Sequence, residues 1–375
     1  MVTKDETRSL RIGMCIDRWD PARGGAERAL CSLVRWLENR GHDVWTFGLS
    51  ASPGAPGKFV GLKARGWTRG ARERALGRGF RAGARARDCH VTLGVRHIDQ
   101  VDVLWPHGGA HAETLRALGK RARGRHRAFL DLERAAIAGG GARRIVCVSE
   151  MVRKEMLAHY PGCGERLRVV PNGVDLDQFN VGGRGQARRE LLSMAGWSGN
   201  GPVLTFVARN PSLKGLDVLL AALRILESKP WRLVIAGPRD LDSIKRQVEG
   251  AFKDRSRFFV AQEVEARILA GGSDLLVLPS RRDPCGLVVL EALGAGTPVL
   301  VSDCVGAGDA IQSALQGEVF PVGEDGKQLA LRIAGRLDGM GMGADERKSI
   351  AAAVAHRGLS EWLAAMEGQL LEVAR

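Results

Sequence analysis

Four short strings in this chain hold residue types suited to binding anions and hydroxyls. Gly24-Gly25-Ala26-Glu27 follows an apolar run and opens a helical pattern. Glycines at such a junction let backbone N–H groups approach an anion, and the helix start adds its positive end. The string lacks G-x-G-x-x-G, so it does not support a dinucleotide site; a tight strand-to-helix turn is the plain alternative. Ala208-Arg209-Asn210 is followed by Lys214-Gly215. Arg offers a planar fork for oxygen pairs and Lys a point charge, although a solvated basic loop would look the same. Asp283 and Glu291 stand eight positions apart across Pro284-Cys285-Gly286-Leu287. Both can accept from hydroxyls, and Asp283 is also of the type favoured at a helix N-cap. Finally, His107 lies in Pro106-His107-Gly108-Gly109 after an apolar run, with His111 close behind; a lone loop histidine is more often structural than functional.

Hydrophobic patterning supplies the elements that must position these strings. Residues 10–17 read as a buried strand, 26–40 as a helix ended by Gly41, and 43–49 as a second strand. That order opens a doubly wound α/β domain. Residues 51–87 are rich in Gly, Pro and Arg and blur the pattern. Strands resume at 90–93 and 101–105, a basic helix is expected over 112–137, and 144–149 is another buried strand. The turn-rich Pro171-Asn172-Gly173-Val174-Asp175 marks a boundary. The cycle then restarts, with strands at 203–208, 232–236, 257–260, 275–279 and 298–302 and helices at 215–227, 264–270 and from Gly286. Residues 359–373 form a closing amphipathic helix.

Composition narrows the class. Hydrophobic residues at 45% and charged residues at 26% are globular values. The seven cysteines are scattered, with no metal-ligand spacing and no disulfide framework, which fits free buried thiols in a reducing cytoplasm. Residues 1–11 are charged and unlike a secretory leader, and no run of 18 apolar residues occurs. Residues 1–180 hold 32 basic and 19 acidic side chains, while the rest of the chain is nearly balanced. Residues 58–127 alone carry a net of +12.

With the strings in place, the segment from Ser280 to Val299 resembles the paired-carboxylate signature of the retaining glycosyltransferases of family four, which have the GT-B fold. Asp283 occupies the position of the first carboxylate, usually Glu, and Glu291 that of the second. Arg209 and Lys214 resemble the family's Gly-Arg…Lys-Gly element, Pro171–Asp175 its interdomain signature, and Gly24–Gly25 its first-domain glycine loop. Through Gly24–Glu27, residues 129–136 and the C-terminal signature, the chain is most similar within that family to the bacterial lipopolysaccharide-core glucosyltransferases.

The resemblance implies two Rossmann-like domains facing a cleft: 1–178 for the acceptor, 179–355 for the sugar nucleotide, and a helix at 356–375 returning to the first. It implies catalytic roles for His107, Arg209, Lys214, Asp283 and Glu291. The nucleotide sugar would be held by Gly24, Gly25, Arg209, Lys214, Gly286, Leu287 and Glu291, and the acceptor by Glu27 and His111. Transfer of a hexose, glucose first among them, with retention and without a metal or other cofactor is the expected reaction, from a UDP-linked donor serving as co-substrate. The basic first half suits an anionic or lipid-linked glycan such as lipopolysaccharide core, met in the cytoplasm at the inner membrane face. Two rivals remain open: a nucleotide-sugar 2-epimerase of the same fold, and a basic nucleic-acid-binding protein. The second is disfavoured, and nucleic acid is not an expected partner, because the aromatics of the basic segment, Trp67, Phe80 and Trp105 among them, stand alone.

Overall fold

Short apolar runs become the strands of two parallel sheets, and helices with one polar face cover them. The computed structural model describes residues 9–95, 97–199, 201–339 and 341–374. The chain divides into two units, residues 1–171 with 360–375, and residues 172–359.

In the first unit, seven strands are ordered Lys58–Gly61, Asp43–Gly48, Arg11–Cys15, Val91–Val95, Val101–Trp105, Ala142–Cys147 and Leu167–Val169. Every neighbouring pair is parallel. In the second unit, six parallel strands run Phe258–Ala261, Arg232–Ala236, Val203–Val207, Leu275–Leu278, Val299–Ser302 and Gly317–Phe320. Both sheets follow the Rossmann-like order in which the first strand lies between the second and fourth of its own domain. The chain reverses direction of winding there, so a crevice opens beyond the carboxyl ends of those central strands. In the second unit these are Val203–Val207 and Leu275–Leu278, paired through Leu204 with Leu275 and Thr205 with Leu276. The loops carrying Arg209, Lys214 and Asp283 leave from these two ends.

Three expectations are corrected. The stretch 51–87 contains the strand Lys58–Gly61 and a 17-residue helix, Arg69–Arg85. That helix buries Gly70, Leu76, Gly77, Phe80 and Ala84, a face so rich in small residues that its period is faint. The basic helix expected over 112–137 is two helices, His111–Ala117 and Arg125–Ile137. Gly119 and Gly124, both at positive φ, lie between them, a conformation that ends a helix and that glycine adopts most readily. Residues 172–178, assigned above to the first domain, fold with the second unit. There the Val174 N–H donates to the Arg357 carbonyl at 2.9 Å, and Val174 bridges Gly358.

The helix Leu359–Val373 packs within the first unit through a buried carboxylate. Glu367 accepts from Trp36 Nε1 at 2.8 Å and Arg40 Nε at 3.3 Å, and pairs with His42 Nε2 at 3.0 Å. Because His42 Nδ1 accepts from the Leu10 N–H at 3.1 Å, the proton of a neutral His42 sits on Nε2 and points at Glu367. Burial pushes the Glu367 carboxyl up. The hydrogen bonds from His42 and Trp36, with the Arg40 charge, outweigh burial and hold it below the ordinary Glu value. A carboxyl depressed on folding stabilises the fold above its unfolded pKa and loses that contribution as pH falls through the folded one. Glu367→Ala is therefore expected to lower stability at pH 7 by about 3 kcal/mol. The gap from wild type should narrow below about pH 4, which denaturant titrations at both pH values would measure.

Candidate functional site

The loop after Val203–Val207 is forced against the loop after Leu275–Leu278 by a glycine. Gly215 has φ +78°, and a Cβ there would stand 2.0 Å from the Pro279 carbonyl oxygen. Arg281 clasps the two loops from the other side. Its N–H donates to the Leu213 carbonyl at 2.9 Å, and its guanidinium donates to the Ser212 carbonyl at 2.6 Å. The same guanidinium forks onto Asp217 at 2.8 and 2.6 Å. The fork holds the Asp217 carboxyl below the usual carboxylate range and raises the guanidinium in turn. Gly215→Ala is expected to destabilise the chain by more than about 2 kcal/mol, since it combines an unfavourable φ with a backbone clash. A fall in thermal midpoint alongside lost activity would check it.

Within this frame Lys214 Nζ meets Asp283 Oδ2 at 2.5 Å, both side chains mostly buried. The other oxygen, Asp283 Oδ1, accepts from the Gly286 N–H at 3.0 Å. Gly286, at φ +73°, starts the helix Leu287–Gly294; a Cβ there would lie 2.6 Å from Val305 Cγ1. Asp283 thus holds both the Gly286 amide just ahead of the helix and the Lys214 ammonium, which the shorter side chain reaches because the Asp283 backbone is pinned. Its N–H donates to the Cys304 carbonyl at 2.7 Å, and its own carbonyl accepts from the Gly306 N–H at 2.8 Å. Glu291 lies on the same helix and is buried, while Leu287 is partly buried. Between Asp283 and Glu291 in sequence, the Cys285 thiol is pushed up to about 12, by burial first and the Asp283 charge second, and takes a hydrogen bond from Asn172 Nδ2 at 3.0 Å. It is a protonated, unreactive thiol at neutral pH.

Arg209 lines a cavity of about 500 Å³ together with Asn210, Ser212, Asp217, Arg239 and Ser243. The cavity sits where the loops beyond Val203–Val207 and Arg232–Ala236 meet. Two Asp-x-Asp strings, a spacing that can hold a divalent cation, also occur in this unit. Asp175 instead closes a turn onto the Asp177 and Gln178 N–H groups, and Asp240 caps Leu241–Ala251 through the Ser243 N–H.

In the first unit, Gly24 is extended and leads into the helix Gly25–Asn39. Glu27 is buried in its first turn, where Arg23 lies 3.9 Å from Glu27 and 3.5 Å from Asp17. The glycine loop therefore carries acidic as well as N–H groups, an arrangement that can take hydroxyls as readily as an anion. His107 follows Val101–Trp105, its ring edge-on to Trp105 with centroids 5.7 Å apart. His111 is held differently. Its N–H donates to the Glu133 carboxylate at 3.0 and 3.2 Å, and its Nε2 faces His126 Nδ1 at 3.1 Å. His97 stacks on Phe129 at 4.1 Å, edge-on to His111. Sequence reasoning missed His97, His126 and Glu133; half of the eight histidines fall between 97 and 126, a density that could have flagged them.

The structure brings Lys214, Asp283 and Gly286 into direct contact and sets Arg209 and Glu291 on the elements beside them. Gly24, Gly25, Glu27, His107 and His111 belong to the other unit.

Comparison with known proteins finds a glycosyltransferase family in each half of the chain. The family described as Glycosyltransferase Family 4 matches residues 23–178, and Glycosyl transferases group 1 matches residues 188–351. A D-inositol 3-phosphate glycosyltransferase of Nocardia farcinica is 32% identical over 188 residues, 47% of this chain and 41% of its own length. A glycogen synthase of Alkalilimnicola ehrlichii is 30% identical over 239 residues, 54% and 49% of the two chains. The matched stretch thus spans about half the length of these curated relatives. Among solved structures, WaaG, a glycosyltransferase involved in lipopolysaccharide biosynthesis, superposes with a TM-score of 0.81 at 20% identity, over 96% of this chain and 99% of that one. Anabaena HepE in complex with UDP and glucose gives 0.72 at 16% identity, over 96% and 99%.

Proposed function

The chain pairs a glycosyltransferase family 4 domain with a glycosyl transferases group 1 domain in Rossmann-like sheets that match the GT-B fold, and from that premise we propose that it transfers a hexose from a nucleotide sugar, with retention, to an anionic or lipid-linked glycan. The observation that carries this reading is the Lys214–Asp283 pair at the carboxyl ends of the central strands. A nucleotide sugar reacts when its diphosphate leaves, so the protein must stabilise negative charge as it develops. Lys214 and Arg209 are the cations for that task, and they make a divalent ion unnecessary in this scheme.

The ion pair gives donor binding a defined exchange. The diphosphate takes Lys214, and Asp283 Oδ2 is released to accept from hydroxyls of the donor sugar while Oδ1 stays on Gly286. Glu291 accepts from the ribose. In a retaining transfer the acceptor hydroxyl attacks from the face the phosphate leaves, so its proton can pass to a departing phosphate oxygen. His107 then hydrogen-bonds the donor sugar or polarises the acceptor, and Glu27 and His111 hold the acceptor.

UDP-glucose is the first donor to test, in line with the UDP and glucose bound by HepE. The acceptor is argued from charge: the +12 of residues 58–127 lies in the first unit and suits a phosphorylated glycan such as lipopolysaccharide core. Curated relatives named for inositol 3-phosphate and for glycogen mark how widely acceptors vary. The test is thermal-shift screening against UDP-, GDP- and ADP-sugars with chelator present. Stabilisation by one nucleotide class supports the reading; stabilisation by none overturns it.

A further inference from the structure

The structure separates the four aromatics of the basic segment: Phe80 and Trp105 are fully buried, Phe59 is partly exposed, and Trp67 is fully exposed. Trp67 stands in the loop between the edge strand Lys58–Gly61, which leaves Phe59 partly exposed, and the helix Arg69–Arg85. The first turn of that helix meets the first turn of Arg125–Ile137 so closely that a Cβ on Gly70 would lie 2.3 Å from Ala128 Cβ. The two loops preceding these helices therefore emerge side by side. Residues 63–74 and 120–127 together hold ten Lys and Arg, all exposed, against a single acid, Glu73. Both helix starts add their positive ends to the same place.

We propose that this face of the first unit docks on an anionic lipid bilayer, with Trp67 seated at the level of the headgroups and the two basic loops against lipid phosphates. An indole has an apolar body and one N–H, which suits the membrane–water interface better than either water or hydrocarbon. Among the described residues no helix is long and apolar enough to cross a membrane, so contact through this face would be peripheral. Duplex nucleic acid would use the charge but not the indole. Single strands need successive aromatic platforms, and these loops offer one. The inference deepens the acceptor reading given above and rests on it, because a lipid-linked acceptor must be met at a bilayer surface.

The test is sedimentation of the full chain with sucrose-loaded vesicles of phosphatidylglycerol and phosphatidylcholine in equal parts, beside vesicles of phosphatidylcholine alone. Wild type should bind the anionic vesicles and release from them at 0.5 M salt. Trp67→Ala should weaken that binding several-fold, with Trp67→Phe recovering most of it. Each basic group near such a surface is worth about fivefold in partitioning. Lys63→Gln with Arg65→Gln, Arg121→Gln and Arg123→Gln should therefore cost about 100-fold or more. All five positions are exposed, so an unchanged thermal midpoint is expected in each variant. Equal binding to both vesicle types, binding to neither, or variants that bind as wild type would overturn the inference. So would a DNA duplex that competes fully with vesicles for wild type and for Trp67→Ala alike. Calorimetry with UDP-glucose on the same samples separates the two readings: vesicle binding without donor binding upholds this surface and removes the donor assignment.

Discussion

Lys214→Ala is expected to lower kcat by about 10²- to 10³-fold, the usual cost of losing one preorganised charge at a developing anion. The variant also leaves Asp283 without its partner 2.5 Å away, so part of any lost activity could reflect a loosened loop. The double variant Lys214→Ala with Asp283→Asn separates the two effects. Asparagine keeps the acceptor for the Gly286 N–H and removes the stranded charge, so stability should return while the rate does not. Recovery of turnover along with stability would show that Lys214 acts by holding Asp283 in place. Lys214→Arg should be a poor substitute, because its fork is broader than the point charge this tight pair accommodates.

Glu291→Gln is expected to raise KM for the donor about 10- to 100-fold, the worth of a hydrogen bond to a charged acceptor. Glutamine keeps the volume of a buried position on Leu287–Gly294 and removes only the charge. Glu291→Ala should remove most turnover as well, with an added packing cost. A donor lacking the ribose hydroxyls discriminates the role: wild type should lose affinity for it, and Glu291→Gln should lose little more. Equal losses in both proteins would place Glu291 away from the ribose.

The second sheet was legible because parallel strands covered on both faces are nearly unbroken apolar runs. Val203–Val207, Leu275–Leu278 and Val299–Ser302 are almost wholly buried, as their Leu and Val content demands. Arg69–Arg85 was hidden for the opposite reason: three of its five buried positions are Gly or Ala, which carry little hydrophobic signal. The break at Gly119 and Gly124 is a matter of backbone conformation, and glycine spacing alone does not reveal which glycines take positive φ. At the candidate site, residue types and positions could be read from the strings themselves. The pairing of Lys214 with Asp283 and the clasp of Arg281 on Asp217 could not, since both join residues more than 60 positions apart. Nor did the sequence mark Trp67 as the fully exposed aromatic, because Phe80 and Trp105 in the same basic segment are buried and Phe59 is only partly exposed.

Calorimetric titration of UDP-glucose into the full chain and into Lys214→Ala, both with chelator present, tests the central claim most directly. Saturable one-to-one binding to wild type, weakened at least tenfold in the variant, is the predicted result; equal affinity in both proteins, or no binding of any UDP-, GDP- or ADP-sugar to wild type, would contradict it.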